Sequence, residues 1–163
     1  MGERGEEAFI GLGSNLGDPA ANVESAIAAI ASLPGTTLIA RSSLYQSAPL
    51  DADGDDYLNA VAQVRTTLAP LELLRALQAI EAGAGRVRPY PNAPRTLDLD
   101  LLLYDDVELA TGPLVLPHPR LHERAFVVLP LLEIAPELRW RGGERLDAQL
   151  PRLAGQRLAK LDR

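Results

Sequence analysis

The chain has no cysteine and a single lysine, Lys160, among its 163 residues. Without cysteine there are no disulfides, no thiolate metal sites and no cysteine nucleophile. One lysine near the C-terminus excludes a Walker-type phosphate loop, which needs lysine inside a glycine-rich turn. It also argues against Schiff-base chemistry. No apolar run reaches the ~18 residues of a membrane span. The first seven residues, Met-Gly-Glu-Arg-Gly-Glu-Glu, are acidic and carry no apolar signal core, so a cytoplasmic location is expected. An excess of basic charge is lacking too. Sixteen basic against 22 acidic side chains leave a net charge of −6, which argues against a general nucleic-acid binder.

The composition that remains, 47% hydrophobic and 23% charged, is that of a soluble globular protein. The length suits one domain, residues 1–163, and falls short of a barrel of about 250 residues. Ala8 to Gly13 reads as a short buried strand. Asp18-Pro19 starts a helix, with Val23, Ile27, Ile30 and Leu33 at helical spacing and Pro34-Gly35 as the stop. Thr36–Ser47 and Tyr57–Thr67 read as strands of a hairpin whose long tip holds four aspartates between 51 and 56. Pro70 opens a second helix with Leu73, Leu74, Leu77 and Ile80 as its apolar stripe, ended by Gly83 and Gly85. Residues 86–94 read as a proline-rich loop and Leu97–Tyr104 as a strand. Glu123–Ile134, broken by Pro130, reads as a short helix at most, and the tail from Arg139 is weakly patterned. The order β-α-β-β-α-β predicts an α+β, ferredoxin-like antiparallel sheet with helices packed on it, plus a C-terminal extension.

The strongest local signal is Leu97-Asp98-Leu99-Asp100-Leu101. Side chains alternate along a strand, so Asp98 and Asp100 share a face with Cα atoms about 6.6 Å apart. Like charges on one strand face repel. A divalent cation relieves that repulsion, and Mg²⁺ shared with substrate phosphates suits open carboxylates on a rigid strand. A half-exposed strand with a polar outer face is the alternative. Arg86, Arg88 and Arg95 flank the loop before this strand and form a local positive field suited to phosphates, or a solvated loop. Both histidines lie in Pro117-His118-Pro119-Arg120-Leu121-His122-Glu123-Arg124. The prolines prevent a regular helix at His118, so a His-x-x-x-His zinc site is the minor reading beside phosphate contacts from His118 and Arg124, or helix capping. Aromatics are scarce, and Tyr57 shares a strand face with Asn59, a plane plus an amide that suits a flat heterocycle. A core tyrosine and a turn asparagine are the plain alternative. No side chain stands out as a general base.

Taken in order, these runs resemble the 6-hydroxymethyl-7,8-dihydropterin pyrophosphokinase family of folate biosynthesis. The matching runs are Gly11-Leu12-Gly13-Ser14-Asn15-Leu16-Gly17, Tyr57-Leu58-Asn59-Ala60-Val61, Gly85-Arg86-Val87-Arg88, Pro94-Arg95-Thr96-Leu97-Asp98-Leu99-Asp100, Pro117-His118-Pro119-Arg120, Arg124-Ala125-Phe126 and Glu133-Ile134-Ala135-Pro136. The resemblance covers about residues 8–137. It implies transfer of the β,γ-diphosphate of ATP to the pterin hydroxymethyl group with release of AMP. It implies two Mg²⁺ on Asp98 and Asp100, with Arg86 and Arg95 beside them as catalytic residues. It places Gln78, Glu81, Arg88, His118 and Arg124 on the nucleotide and its phosphates. It places Gly13, Ser47, Ala48, Leu50, Tyr57, Asn59 and Phe126 at the pterin, with the two rings as a sandwich and Asn59 reading the edge. The expected partners are these two small molecules, for a monomer that needs no nucleic acid and no membrane. Loops 51–56 and 86–94 look one residue shorter than the family pattern and are predicted to be mobile and to close over the substrates. Two other classes use parts of the same set. A metal-dependent phosphohydrolase or nuclease would need the aspartates and arginines but no pterin site. A non-catalytic ferredoxin-like binding module would have no use for the aspartate pair.

Overall fold

The computed structural model describes residues 5–15, 17–47, 57–84, 97–156 and 158–161. Loops 51–56 and 86–94, Ala48, Leu50, Arg86, Arg88 and Arg95 lie outside them. The elements run β1 (Glu6–Ser14), α1 (Pro19–Ala31), β2 (Thr36–Arg41), β3 (Tyr45–Ser47), β4 (Tyr57–Thr66), α2 (Pro70–Gly83), β5 (Asp98–Tyr104), β6 (Leu109–Ala110), β7 (Val115–Leu116), α3 (Ala125–Ile134), α4 (Leu150–Leu153) and β8 (Leu158–Lys160). No described helix is long and apolar enough to cross a membrane.

Strand order in the main sheet is β5-β1-β4-β3-β8, with β2 also paired to β4, and every pairing is antiparallel. Alternation along β1 and β4 sorts the core. Ala8, Ile10, Leu12, Ala60, Ala62 and Val64 pack under α1 and α2 through Val23, Ile27, Ile30, Leu73 and Leu77. Phe9, Val61 and Leu102 face the other way, against Val127, Val128 and Leu131 of α3 and Trp140 and Leu146 of the tail. The α+β, ferredoxin-like expectation holds, with a helix layer on each face.

Helix α1 starts as its sequence predicts: the Asp18 side chain accepts from the Ala21 N–H at 3.2 Å, and Pro19 needs no donor of its own. At α2 the Glu72 carboxylate accepts from the Ala69 N–H at 2.8 Å.

Three expectations are corrected. Thr36–Ser47 is two strands, not one. Opposite β4, residues 41 to 45 span partners 62 to 59, so one extra residue bulges out at Ser42–Leu44. Ser42 keeps the ladder through its main chain and its Oγ, both bonded to Val61 at 2.9 Å. Second, α3 runs through Pro130 for ten residues. An interior proline costs about 3 kcal/mol, and burial of Val127, Val128, Pro130 and Leu131 offsets it. Third, the tail is ordered structure. It closes on β8, which adds a strand beside β3.

Candidate active site

Register, rather than sequence distance, assembles the site. Gly13 of β1 lies opposite Asn59 of β4 on one side and Asp98 of β5 on the other, and Asn59 lies opposite Tyr45 of β3. One row across the sheet therefore reads Asp98, Gly13, Asn59, Tyr45. Neighbouring strands are about 4.8 Å apart, so Asp98 and Asn59 stand roughly 10 Å apart on the sheet, separated by a residue without a side chain. In the next row Gly11 lies opposite Asp100 and Val61. All of these residues face the α3 side.

Glycine keeps position 13 clear. A Cβ there would stand 3.2 Å from Asn59 Oδ1, a tight approach that the amide would have to yield to, and 3.5 Å from the Tyr57 ring, in ordinary contact. Asn59 is buried. Its Nδ2 donates to Ser47 Oγ at 2.7 Å, which fixes the amide's orientation. Its Oδ1 leans over Gly13, where it can accept from an N–H donor on a ligand. Tyr57, two residues earlier on β4, shares this face. Phe126 is the second residue of α3, with the Arg124 guanidinium 5.5 Å from its ring centre.

Asp98 and Asp100 are half-exposed and flank buried Leu99. Among the described residues no group of three or more His, Asp or Glu could hold a metal. Asp98 and Asp100 offer hard oxygen donors on one strand face, a donor set that would fit Mg²⁺. His118 stands beside this pair, its Nε2 3.9 Å from Asp100 Oδ1. Its main-chain N–H bonds Leu102 O at 2.9 Å, and its Nδ1 accepts from the Arg120 N–H at 3.2 Å. Nδ1 as acceptor places the neutral ring's proton on Nε2, toward Asp100. Burial pushes the His118 pKa below its ordinary value and Asp100 pulls it back up, while Arg124 and Arg120 add to the lowering. In its neutral form His118 turns the Nε2–H toward Asp100.

Gln78 is exposed on α2, and Glu81, one turn on, is buried. Glu81 Oε2 accepts from the Leu99 N–H at 2.7 Å. The structure thus brings together Gly13, Ser47, Tyr57 and Asn59 through the sheet, and Asp98, Asp100 and His118 beside them. It gives Glu81 a main-chain partner that spacing does not foretell. Glu133 is the other residue whose role the sequence conceals. Its run was part of the resemblance, yet its partners lie about 90 positions away in sequence.

The chain is similar to known proteins over most of its length. The model of the family described as 7,8-dihydro-6-hydroxymethylpterin-pyrophosphokinase matches residues 9–136. A 2-amino-4-hydroxy-6-hydroxymethyldihydropteridine pyrophosphokinase of Pseudomonas aeruginosa is 46% identical over 142 residues, 86% of this chain and 88% of the relative. One from Haemophilus influenzae is 42% identical over 156 residues, 95% and 98% of the two chains. Among solved structures, Plasmodium falciparum HPPK-DHPS with pterin and p-hydroxybenzoate superposes with a TM-score of 0.71 at 14% identity, which speaks for the fold alone. That match covers 94% of this chain and 45% of the other, so the chain spans under half of that protein. By the family match and by identity over most of its length, the chain belongs to the 7,8-dihydro-6-hydroxymethylpterin-pyrophosphokinase family.

Proposed function

We propose that the row Asp98–Gly13–Asn59 is the seat of the family's reaction, with the metal and phosphates at one end and the pterin at the other. The chain transfers the β,γ-diphosphate of ATP to the hydroxymethyl group of 6-hydroxymethyl-7,8-dihydropterin and releases AMP, a step of folate biosynthesis. The single observation that carries the placement is the glycine between the carboxylate and the amide in one register row.

The chain's own residues divide the work. Asn59 Oδ1 reads a donor on the heterocycle's edge, and Ser47 holds that amide in place. Tyr57 and Phe126 stack on the ring's two faces. Gly13 leaves room for ring and amide to meet. Asp98 and Asp100 would hold two Mg²⁺, which would supply charge neutralisation on the transferred diphosphate. His118 and Arg124 hydrogen-bond phosphate oxygens, joined by Arg86, Arg88 and Arg95. Arg86 and Arg95 serve the transition state, and Gln78 and Glu81 border the nucleotide. Ala48 and Leu50 complete the pterin wall. The hydroxymethyl oxygen attacks the β-phosphorus and gives up its proton to solvent, the bond from the β-phosphorus to the α,β-bridging oxygen breaks, and AMP leaves. Catalysis here is positioning and charge neutralisation. Residues 1–163 act as one monomeric domain on two small molecules, and a net charge of −6 suits neither nucleic acid nor an anionic membrane.

The deciding assay is AMP release from Mg-ATP with and without the hydroxymethyl dihydropterin. Pterin-dependent AMP supports the reading. Phosphate or AMP release indifferent to pterin points to a phosphohydrolase and sinks it.

A further inference from the structure

We infer that Glu133 is a positioning residue for pterin recognition: it ties the helix carrying Phe126 to the strand carrying Ser47 and so sets the gap between two walls of the pterin site. The inference rests on the pterin assignment above and adds a residue that touches no substrate.

The bulge at Ser42–Leu44 takes the Ser43 N–H out of the sheet ladder, and an unpartnered main-chain donor must find another acceptor. Glu133 supplies it. Its Oε1 and Oε2 accept from the Ser43 N–H at 3.0 and 3.2 Å, Oε2 accepts from Ser43 Oγ at 2.8 Å, and Oε1 accepts from the Tyr45 hydroxyl at 2.8 Å. The sole lysine of the chain, Lys160, brings its Nζ to 3.8 Å from Oε2. One carboxylate thus gathers the bulge, β3 and β8 onto α3.

Both ends of this link lead to the pterin site. Tyr45 and Ser47 are two residues apart on β3 and share a face, and Ser47 accepts from Asn59 Nδ2. Phe126 and Glu133 are seven residues apart on α3, about 20° from the same face and roughly 10.5 Å apart along the axis. Apart from the Ala125 N–H, which Gln156 Oε1 of the tail accepts at 2.8 Å, helix α3 meets the sheet through apolar packing, which fixes burial but tolerates sliding. Directional bonds to a charged carboxylate do not. The Glu133 clamp therefore fixes where Phe126 stands relative to Asn59 and Ser47. The nucleotide end, at Asp98, Asp100 and His118, lies on β5 and its neighbours, and Glu133 makes no contact there.

Three variants test this: Glu133→Ala, Glu133→Gln and Tyr45→Phe. Glutamine keeps one acceptor and gives a donor that either hydroxyl can accept. Each variant is followed by urea unfolding. Calorimetry then gives the affinity for a non-hydrolysable Mg-ATP analogue alone, and for the pterin with that analogue bound. Wild-type pterin binding is measured first, and its absence would count against the proposed function, not against the clamp. Glu133→Ala is expected to weaken pterin binding about tenfold or more, the loss expected when a charged hydrogen-bond network is removed. Analogue affinity should stay within about twofold, the pterin KM should rise far more than kcat falls, and Glu133→Gln should recover most of the loss. Tyr45→Phe removes one bond and keeps the carboxylate, so it carries the test if Glu133→Ala does not fold. Its pterin affinity should fall about threefold. Folded Glu133→Ala or Tyr45→Phe with wild-type pterin affinity would overturn the inference. So would equal losses for pterin and analogue, which would indicate general loosening of the fold.

Discussion

Glu81 closes the open edge of the sheet by accepting the Leu99 N–H at 2.7 Å. Strand β5 is the edge next to β1, and Leu99 stands between the two site aspartates. A buried carboxylate thus takes the place of a neighbouring strand at Leu99, the residue between Asp98 and Asp100.

Removal of this acceptor leaves a buried main-chain donor without its partner, a loss of about 1–3 kcal/mol. Glu81→Ala is therefore expected to lower unfolding free energy by about that amount in urea titrations. Glu81→Gln, which keeps an oxygen for Leu99, should lose less than half as much. Equal losses would mean that the charge, rather than the acceptor, matters.

Asp98→Ala and Asp100→Ala should act in opposite directions on stability and on activity. Without metal, two like charges on one strand face repel, so each variant is expected to unfold at the same or higher urea concentration. Pterin-dependent AMP formation should fall by at least about 10²-fold, the equivalent of several kcal/mol of lost metal stabilisation. Near-wild-type turnover in either variant at ordinary Mg²⁺ would refute the metal assignment.

Phe126→Ala and Tyr57→Ala should separate the two substrates. An aromatic contact is worth about 0.5–1.5 kcal/mol beyond the area it buries, so each truncation is expected to cost about tenfold in pterin affinity. ATP-analogue affinity should stay within about twofold. Calorimetry showing equal loss of both would assign these rings to the core.

The Glu133 clamp also predicts a pH window. Burial tends to raise the Glu133 pKa, but hydrogen bonds from Tyr45 and Ser43 and the Lys160 charge bring it below its ordinary 4.5. A depressed carboxylate contributes stability above pH 4.5 and loses it as pH falls through the lowered folded value. Tyr45 shifts the other way. Burial first, then Glu133, raises its pKa above the ordinary 10, so its contribution is present below pH 10 and fades as pH rises through the folded value. The stability advantage of wild type over Glu133→Gln is therefore expected to be flat between these limits and to shrink in acid. Urea midpoints across pH check this, and an advantage that grows below pH 4.5 would contradict it.

What the sequence determined by itself is local. The period of two along a strand places Asp98 with Asp100 and Tyr57 with Asn59, whatever surrounds them. Asp18-Pro19 and Pro70 likewise start helices through atoms within one turn. The glycines on either side of Leu12 could be seen but not explained, because the crowding at position 13 comes from Asn59 on another strand. Only the tertiary structure decided that the aspartate pair and the tyrosine–asparagine pair face the same way, since that depends on the register of β1 between β4 and β5. It also decided that α3 continues through Pro130, where burial outweighs the lost hydrogen bond. The weakly patterned tail becomes a strand because β3 offers it an edge. Glu133 finds Ser43 and Tyr45 across some ninety residues for the same reason. Periodicity reports what lies within a turn or a strand, whereas contacts between distant segments are set by burial and pairing of the whole chain.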